Sequence, residues 1–164
     1  MIIIQHIFLF CLILSTAFLV PAITSARPTG SIPVPAFPGA EGYGAQAIGG
    51  RGGQVIEVTN LNDSGPGSLR AAAEAEGPRI VVFRVGGTIE LLSPIEIINP
   101  YITIAGQTAP GGGIALKTHP SMDNAAIEVA TQHVIIRYIR ARPGPSAELS
   151  QNIDALIIGP AIGK

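Results

Sequence analysis

Beyond residue 53 the sequence is a series of short apolar runs, each the length of one β-strand and each ended by turn residues. Few of the links between runs have the two-residue length of a tight hairpin, and the hairpin dipeptide Asn-Gly is absent. Short strands with small turns predict either a solenoid of stacked coils or a β-sandwich. The runs cover 54–58, 80–85, 88–92, 95–98, 102–105, 113–117, 126–129, 134–139 and 155–158.

Two features favour the solenoid over the sandwich. The runs YITIA and IIRYI alternate apolar residues with Arg, Tyr or Thr, as expected when one face of each strand points into a shared core. Their separation along the chain is that of one solenoid turn with a loop. The sequence therefore predicts an all-β fold of parallel stacked coils, with the coil domain over 54–164.

One segment has a helical pattern. Ser68 is a helix N-cap residue, the alanine-rich run from Leu69 to Glu76 favours a helix, and Gly77 and Pro78 end it. A short helix at this point, near 68–76, would cover the backbone edge of the first coil, which otherwise invites pairing with another chain.

The first 26 residues are typical of a signal peptide. An apolar stretch from Ile7 to Val20 is followed by Pro21 and by small residues at Thr24 and Ala26, which predicts cleavage before Arg27. A membrane anchor is the alternative, because no Lys or Arg precedes the apolar stretch. We expect a secreted, extracellular protein with no stable membrane insertion after cleavage, and an extended, Gly- and Pro-rich lead-in over 27–53.

Composition excludes some partners and some covalent links. The formal net charge is -1 and 13% of residues are charged, so no basic surface is available for nucleic acid. The single cysteine, Cys11, lies in the predicted signal peptide, so the mature chain can form no internal disulfide. Packing and backbone pairing must then stabilise the fold.

Several long strings, in the same order along the chain, carry a resemblance to the secreted pectate lyases. They are AFPGAEGYGA at 36–45, GGRGG at 49–53, VTNLNDSGPGSLR at 58–70, GGTIEL at 86–91, ITIAGQTAPGGGIAL at 102–116, VIIRYIRARPG at 134–144 and DALIIG at 154–159. The resemblance implies a right-handed parallel β-helix and calcium-dependent β-elimination of pectin or polygalacturonate. In that reaction calcium acidifies the C5 hydrogen of the sugar, and an arginine removes it.

The resemblance places one calcium ligand in this chain. Asp154 matches an early calcium-binding aspartate of the family, and Asn152 stands where some members have a second carboxylate. The alternative for Asp154 is a turn residue whose carboxylate accepts local backbone N–H groups. Neither His119 nor His133 has the neighbouring ligands of a zinc site, so both are interpreted as surface or turn residues. Glu41 is interpreted as a cap for the amides of the glycine-rich loop.

No catalytic residue is assigned. The family's remaining acidic ligands and its catalytic arginine belong to later coils, which this chain does not contain. Arg137, Arg140 and Arg142 are interpreted as solvent-facing residues or as partners in salt bridges to neighbouring coils. We therefore expect an N-terminal portion of a lyase that is inactive alone and has an open last coil capable of self-association.

Two other functions remain open from the sequence. The coil could be a non-enzymatic extracellular carbohydrate-binding protein, although 5% aromatic residues and no Trp leave few rings for stacking on sugars. It could also be a structural or adhesin-like β-helix. Separately, Asn62, Asp63 and Ser64 form an N-x-S acceptor for glycosylation in an exported eukaryotic protein.

Overall fold

The structure is a computed structural model that describes residues 34–144 and 154–159. The predicted signal peptide, Met1 to Ala26, lies outside the described residues, as does Asn152. Within the described ranges, no helix has the length and apolar character that crossing a membrane requires.

Ten strands in the described ranges form three parallel sheets. Sheet A has the order β1-β2-β5-β8, sheet B the order β3-β6-β9 and sheet C the order β4-β7-β10. The strands are β1 Gln54–Val58, β2 Arg79–Phe83, β3 Gly87–Leu91, β4 Ile95–Ile97, β5 Ile102–Ala105, β6 Ile114–Thr118, β7 Ile127–Val129, β8 Val134–Arg137, β9 Ile139–Ala141 and β10 Leu156–Ile158. The chain visits the three sheets in turn and makes about four turns of a β-solenoid in this part. The predicted parallel coils are confirmed.

Strands of successive coils pair in register, so side chains of the same kind stack in ladders. In sheet A, Val81 pairs with Ile104 and Ile104 pairs with Ile136. In sheet C, Ile95 pairs with Ile127. Because side chains alternate between the two faces of a strand, each such ladder lies wholly inside the coil.

These inward ladders form the core. Ile89, Ile97, Ile102 and Leu116 have no exposed surface. Their ladder neighbours are buried as well, except Val134 and Ala141, which are partly buried and pack against the core. Each fully buried aliphatic side chain contributes about 1.5–3 kcal/mol relative to an exposed one. The absence of any buried side-chain polar atom without a hydrogen-bond partner, among the described residues, shows that the polar groups entering this core are satisfied.

The predicted helix forms but is shorter than expected. Helix α1 spans Leu69–Ala73, and the Ser68 hydroxyl accepts from the N–H of Ala71 over 3.2 Å. In a continuing helix the carbonyls of Ala72 and Ala73 would accept from backbone N–H groups four residues later. Instead both accept from the guanidinium of Arg79. The arginine side chain therefore replaces the next turn of the helix.

Arg79 is the largest fully buried side chain, and it opens strand β2. Besides the two helix carbonyls, its guanidinium donates to three carbonyls in the turns on either side, those of Gly77, Asn99 and Pro100, over 2.9, 3.3 and 3.2 Å. Burial lowers the pKa of this guanidinium from its ordinary value. Arg79 thus joins α1 to the turn that leads into the next coil.

The run 134–139, predicted as one strand, is two strands of different sheets. Tyr138 separates β8 from β9 and has a φ of 57°, which turns the chain sharply from sheet A to sheet B. The backbone at this corner packs against Gly106 of the preceding coil, where an added Cβ would lie 2.4 Å from the Tyr138 carbonyl oxygen. The prediction of a single strand was wrong because it took a tyrosine for an ordinary strand residue.

The segment before β1 lies close to the backbone of sheet A. The N–H of Gly50 donates to the hydroxyl of Thr103 over 2.9 Å. A Cβ at Gly50 would meet the carbonyl oxygen of Arg79 at 1.8 Å, and one at Gly53 would meet that of Pro78 at 2.0 Å. Gly50 and Gly53 of the GGRGG string are therefore required as glycines, because a side chain there would overlap the backbone at the start of β2.

Replacing Arg79 by methionine is expected to destabilise the fold by about 3 kcal/mol or more, because several buried carbonyls lose their donor at once. Thermal or urea unfolding measures the change. The matched control is Arg84→Met, since the Arg84 side chain is 66% exposed and pairs only at the surface with Glu57. Equal stability of the two variants would contradict the structural role of Arg79.

Replacing Gly50 by alanine is expected to cost about 1–3 kcal/mol, because the added methyl must displace the backbone of β2. Gly44→Ala is the control: its Cβ would have no neighbour within 4 Å. Unfolding curves that do not distinguish the two variants would show that residues 49–53 do not lie against sheet A.

Candidate functional site

The outer face of sheet C carries the acidic side chains that the structure brings together. Glu96 is the central residue of β4 and Glu128 that of β7, and the two are register partners. Both are half-buried, with fully or largely buried residues on either side. Parallel strands lie about 4.8 Å apart, so the two carboxyl-bearing side chains leave the sheet side by side.

Asp154, the predicted calcium ligand, lies at the start of the next strand of the same sheet. It precedes Leu156, the first residue of β10, by two positions and is exposed. In β10, Ile157 is the register partner of Glu128. The structure thus places Asp154 just before β10, a strand of the sheet whose outer face carries Glu96 and Glu128. Whether it binds calcium stays a prediction.

The described residues do not make a complete calcium site. Calcium takes six to eight oxygen ligands, supplied by several carboxylates, carbonyls or waters. Among residues 34–144 and 154–159, no group of three or more His, Cys, Asp or Glu side chains is placed to hold a metal ion. Asp154 could supply one ligand, and the others would have to come from elsewhere.

The arginines that the sequence singled out lie away from this face. The guanidinium of Arg137 packs 4.3 Å from the ring centre of Phe37 and 5.1 Å from that of Tyr138. Arg140 belongs to β9 of sheet B, is exposed and donates to the carbonyl of Gly112. Arg142 is exposed just after β9. The solvent-facing interpretation holds for Arg140 and Arg142, whereas Arg137 binds aromatic rings.

The two histidines have structural partners. His119 Nδ1 lies 2.8 Å from the hydroxyl of Ser121 in a turn. His133, with a φ of 58°, stacks on Tyr101 with ring centres 4.9 Å apart, and its Nδ1 accepts from the N–H of Ile48 over 3.3 Å. Both therefore act as turn residues, as interpreted. The Tyr101–His133 stack could not be predicted from the sequence, because the two residues belong to different coils.

Glu41 does not have the interpreted role in this structure. It is exposed, and its carboxylate has no hydrogen-bond partner within the described residues. The backbone groups of its loop pair with one another instead, for example Ala45 N–H with the carbonyl of Gly42.

A cavity of about 530 Å³ lies at the last described coil, between that coil and the segment around Tyr43. Its walls include Ile136, Leu156 and Ile158, which continue the inward ladders of sheets A and C. Leu156 is 36% and Ile158 76% exposed, although their ladder partners are buried. The cavity therefore lies where inward ladders are exposed in the last described coil. Polar side chains also line it, namely those of Tyr43, Gln46, Thr131, Gln132 and His133.

No family model matches the sequence. It is 53% identical over 122 residues to a protein of Aspergillus fumigatus named probable pectate lyase C, and 54% identical over 110 residues to the protein of that name in Aspergillus flavus. These matches cover 74% and 66% of this chain.

The chain is a member of the pectate lyase family. It spans about a quarter of the length of these relatives, 27% for the Aspergillus fumigatus protein and 24% for that of Aspergillus flavus. A plant protein named probable pectate lyase 4, from Arabidopsis thaliana, is 40% identical over 74 residues, which is 43% of this chain and 20% of the plant protein. The crystal structure of jun a 1, the major allergen from cedar pollen, is 26% identical, with a TM-score of 0.49 over 61% of this chain and 28% of its own.

Several of the strings that carry the resemblance to pectate lyases have a structural role in this fold. VTNLNDSGPGSLR ends β1, forms the loop that follows and starts α1 at its Ser68 cap. GGRGG is the segment that lies against sheet A, and QTAPGGG links β5 to β6. These motifs therefore form part of the scaffold, whereas DALIIG, at β10, contains the predicted ligand Asp154.

Proposed function

We propose that this chain supplies the first coils of a secreted polysaccharide lyase that cleaves polygalacturonate by calcium-dependent β-elimination. The observation that carries the proposal is the identity of 53–54% to the Aspergillus proteins named probable pectate lyase C, over 122 and 110 residues. The predicted signal peptide over 1–26, the lead-in over 27–53 and the coil domain over 54–164 are part of the same proposal.

The acidic outer face of sheet C supports the involvement of a cation. Polygalacturonate carries a carboxylate on each sugar, and Glu96, Glu128 and Asp154 are also acidic. Like charges repel, so a polyanion is held beside this face only if cations lie between them. Calcium suits carboxylates on both sides because it is a hard cation that accepts many oxygen ligands. Asp154 is the residue that we propose as a ligand.

The arrangement of arginines supports the proposal that the chain alone is inactive. No arginine of the described residues lies on the outer face of sheet C, whose central positions are Glu96, Glu128 and Ile157. The proton-accepting arginine implied by the family resemblance, and the further calcium ligands, would be supplied by segments that the relatives carry beyond the matched region.

The first test is a lyase assay of the full chain. With polygalacturonate and calcium, we expect no unsaturated product above background, whereas the full-length Aspergillus fumigatus relative, assayed beside it, provides the reference. Product is measured by its ultraviolet absorbance. Robust calcium-dependent turnover by the chain alone would contradict the proposal that further coils are required.

The second test is a chimera in which the matched residues of this chain replace the corresponding quarter of the Aspergillus fumigatus protein. We expect the chimera to cleave polygalacturonate. Asp154→Asn in the chimera is expected to raise the calcium concentration for half-maximal activity by at least about tenfold, since even outer-shell changes at metal sites cost that much. Glu90→Gln, on the outer face of sheet B, is the matched control.

Two outcomes of the chimera assay would count against the proposal. A folded chimera with no lyase activity would contradict the assignment of these coils to a lyase scaffold. Activity with an unchanged calcium requirement in Asp154→Asn would contradict the role of Asp154 and leave it as a turn residue.

A further inference from the structure

The loop between β1 and α1 is held closed by its own polar groups. The N–H groups of Thr59 and Asn60 both donate to the carbonyl of Gly67. The side-chain amide of Asn60 donates to the Pro66 carbonyl over 2.9 Å, and its carbonyl oxygen accepts from the N–H of Asn62 over 3.1 Å. Both the nitrogen and the oxygen of the Asn60 side-chain amide therefore hydrogen-bond within the loop.

Asp63 anchors the same loop to the coil. Its carboxylate accepts from the guanidinium of Arg70 over 2.7 Å and from the N–H of Leu92 over 3.2 Å. Arg70 also donates to the carbonyl of Ser93 over 2.7 Å. These bonds fix the loop at the corner where the chain passes from β3 to β4.

Asn62 lies between these two anchors and takes no part in them through its side chain. The side chains of Asn62 and Ser64 are exposed, and neither has a hydrogen-bond partner within the part of the chain that the structure describes. Asn62, Asp63 and Ser64 form the N-x-S acceptor sequence, and this is the only N-x-S or N-x-T in the 164 residues.

We propose that Asn62 carries an N-linked glycan. In the transfer, a bond forms between Nδ2 of Asn62 and the anomeric carbon of the first sugar. The bond from that carbon to the diphosphate of a lipid-linked oligosaccharide donor breaks, the amide nitrogen loses one proton, and the lipid diphosphate leaves. The proposal is independent of lyase activity.

The surroundings suit a glycan in the folded state. The adjoining turn presents Leu92, whose side chain is 62% exposed and whose N–H is bonded to Asp63. A glycan on this loop would cover the exposed surface of Leu92 and would not disturb the buried core. Since the side chain of Asn62 makes no contact that the fold uses, its modification should leave the coil unchanged.

The test is secretion of the full chain from yeast behind a yeast export signal, so that the outcome does not depend on residues 1–26. Treatment with an N-glycosidase is expected to shift the wild-type chain by one discrete step on a gel. The peptide that contains Asn62 should carry the glycan by mass spectrometry. Cell and medium fractions are both analysed, so that a poorly secreted variant is still scored.

Four variants locate the acceptor. Asn62→Gln and Ser64→Ala are expected to lose the shift completely, whereas Ser64→Thr, which preserves the acceptor sequence, and Asn60→Gln should retain it. An unshifted wild-type chain, in cells whose own glycoproteins shift normally, would overturn the proposal. A shift that persists in Asn62→Gln would overturn it as well.

A melting experiment tests whether the folded loop accommodates the sugar. The glycosylated chain and the same chain after enzymatic removal of the glycan are expected to have equal Tm values. A markedly lower Tm of the glycosylated form would contradict the placement of Asn62 in a free, exposed position.

Discussion

The in-register parallel pairing of successive coils is the constraint on which the rest of the structure depends. Because Ile95 pairs with Ile127 and Val81 with Ile104, each inward position of one strand lies directly above the inward position of the last. A shift by one residue would turn a whole ladder to the solvent. The links between strands can therefore differ in length from coil to coil, while the alternation inside each strand cannot change.

This constraint explains the unusual residues at the edges of the coils. Parallel coils require a sharp turn three times per circuit. Within residues 34–144 and 154–159, two of the three non-glycine residues with positive φ, Tyr101 and His133, occupy equivalent turns directly before sheet A strands. Their rings stack because the coils repeat. Arg79 has a different role. Its guanidinium donates to the last carbonyls of helix α1, those of Ala72 and Ala73, where the helix ends.

Much of this architecture could be predicted from the sequence. Short apolar runs located the strands of the described ranges, with one run standing for both β8 and β9, and the bounds of β1 and β5 were predicted to the residue. Ser68 located the start of the helix. Its early end could not be predicted, because it depends on a buried arginine, and buried unpaired arginines are rare enough that Arg79 was left outside the predicted strand. The division of 134–139 was missed for a similar reason, since tyrosine seldom adopts positive φ.

The candidate site was less predictable than the fold. Asp154 came from a resemblance, and the structure places it just before β10. Glu96 and Glu128 lie far apart in sequence and meet only through the register of sheet C. Alternation within a strand predicts which face of the sheet a side chain lies on. Which residues of successive coils become register partners depends on the conformations of the loops between strands, which could not be predicted.

The most direct test of the account is the pattern of nuclear Overhauser contacts between the backbones of β2, β5 and β8 in an isotope-labelled sample. Parallel pairing predicts interstrand contacts between Val81 and Ile104 and between Ile104 and Ile136, with no close Hα–Hα pairs across the strands. Strong Hα–Hα contacts between these strands, which closely spaced antiparallel pairs produce, would contradict the stacked coils and the site built on them.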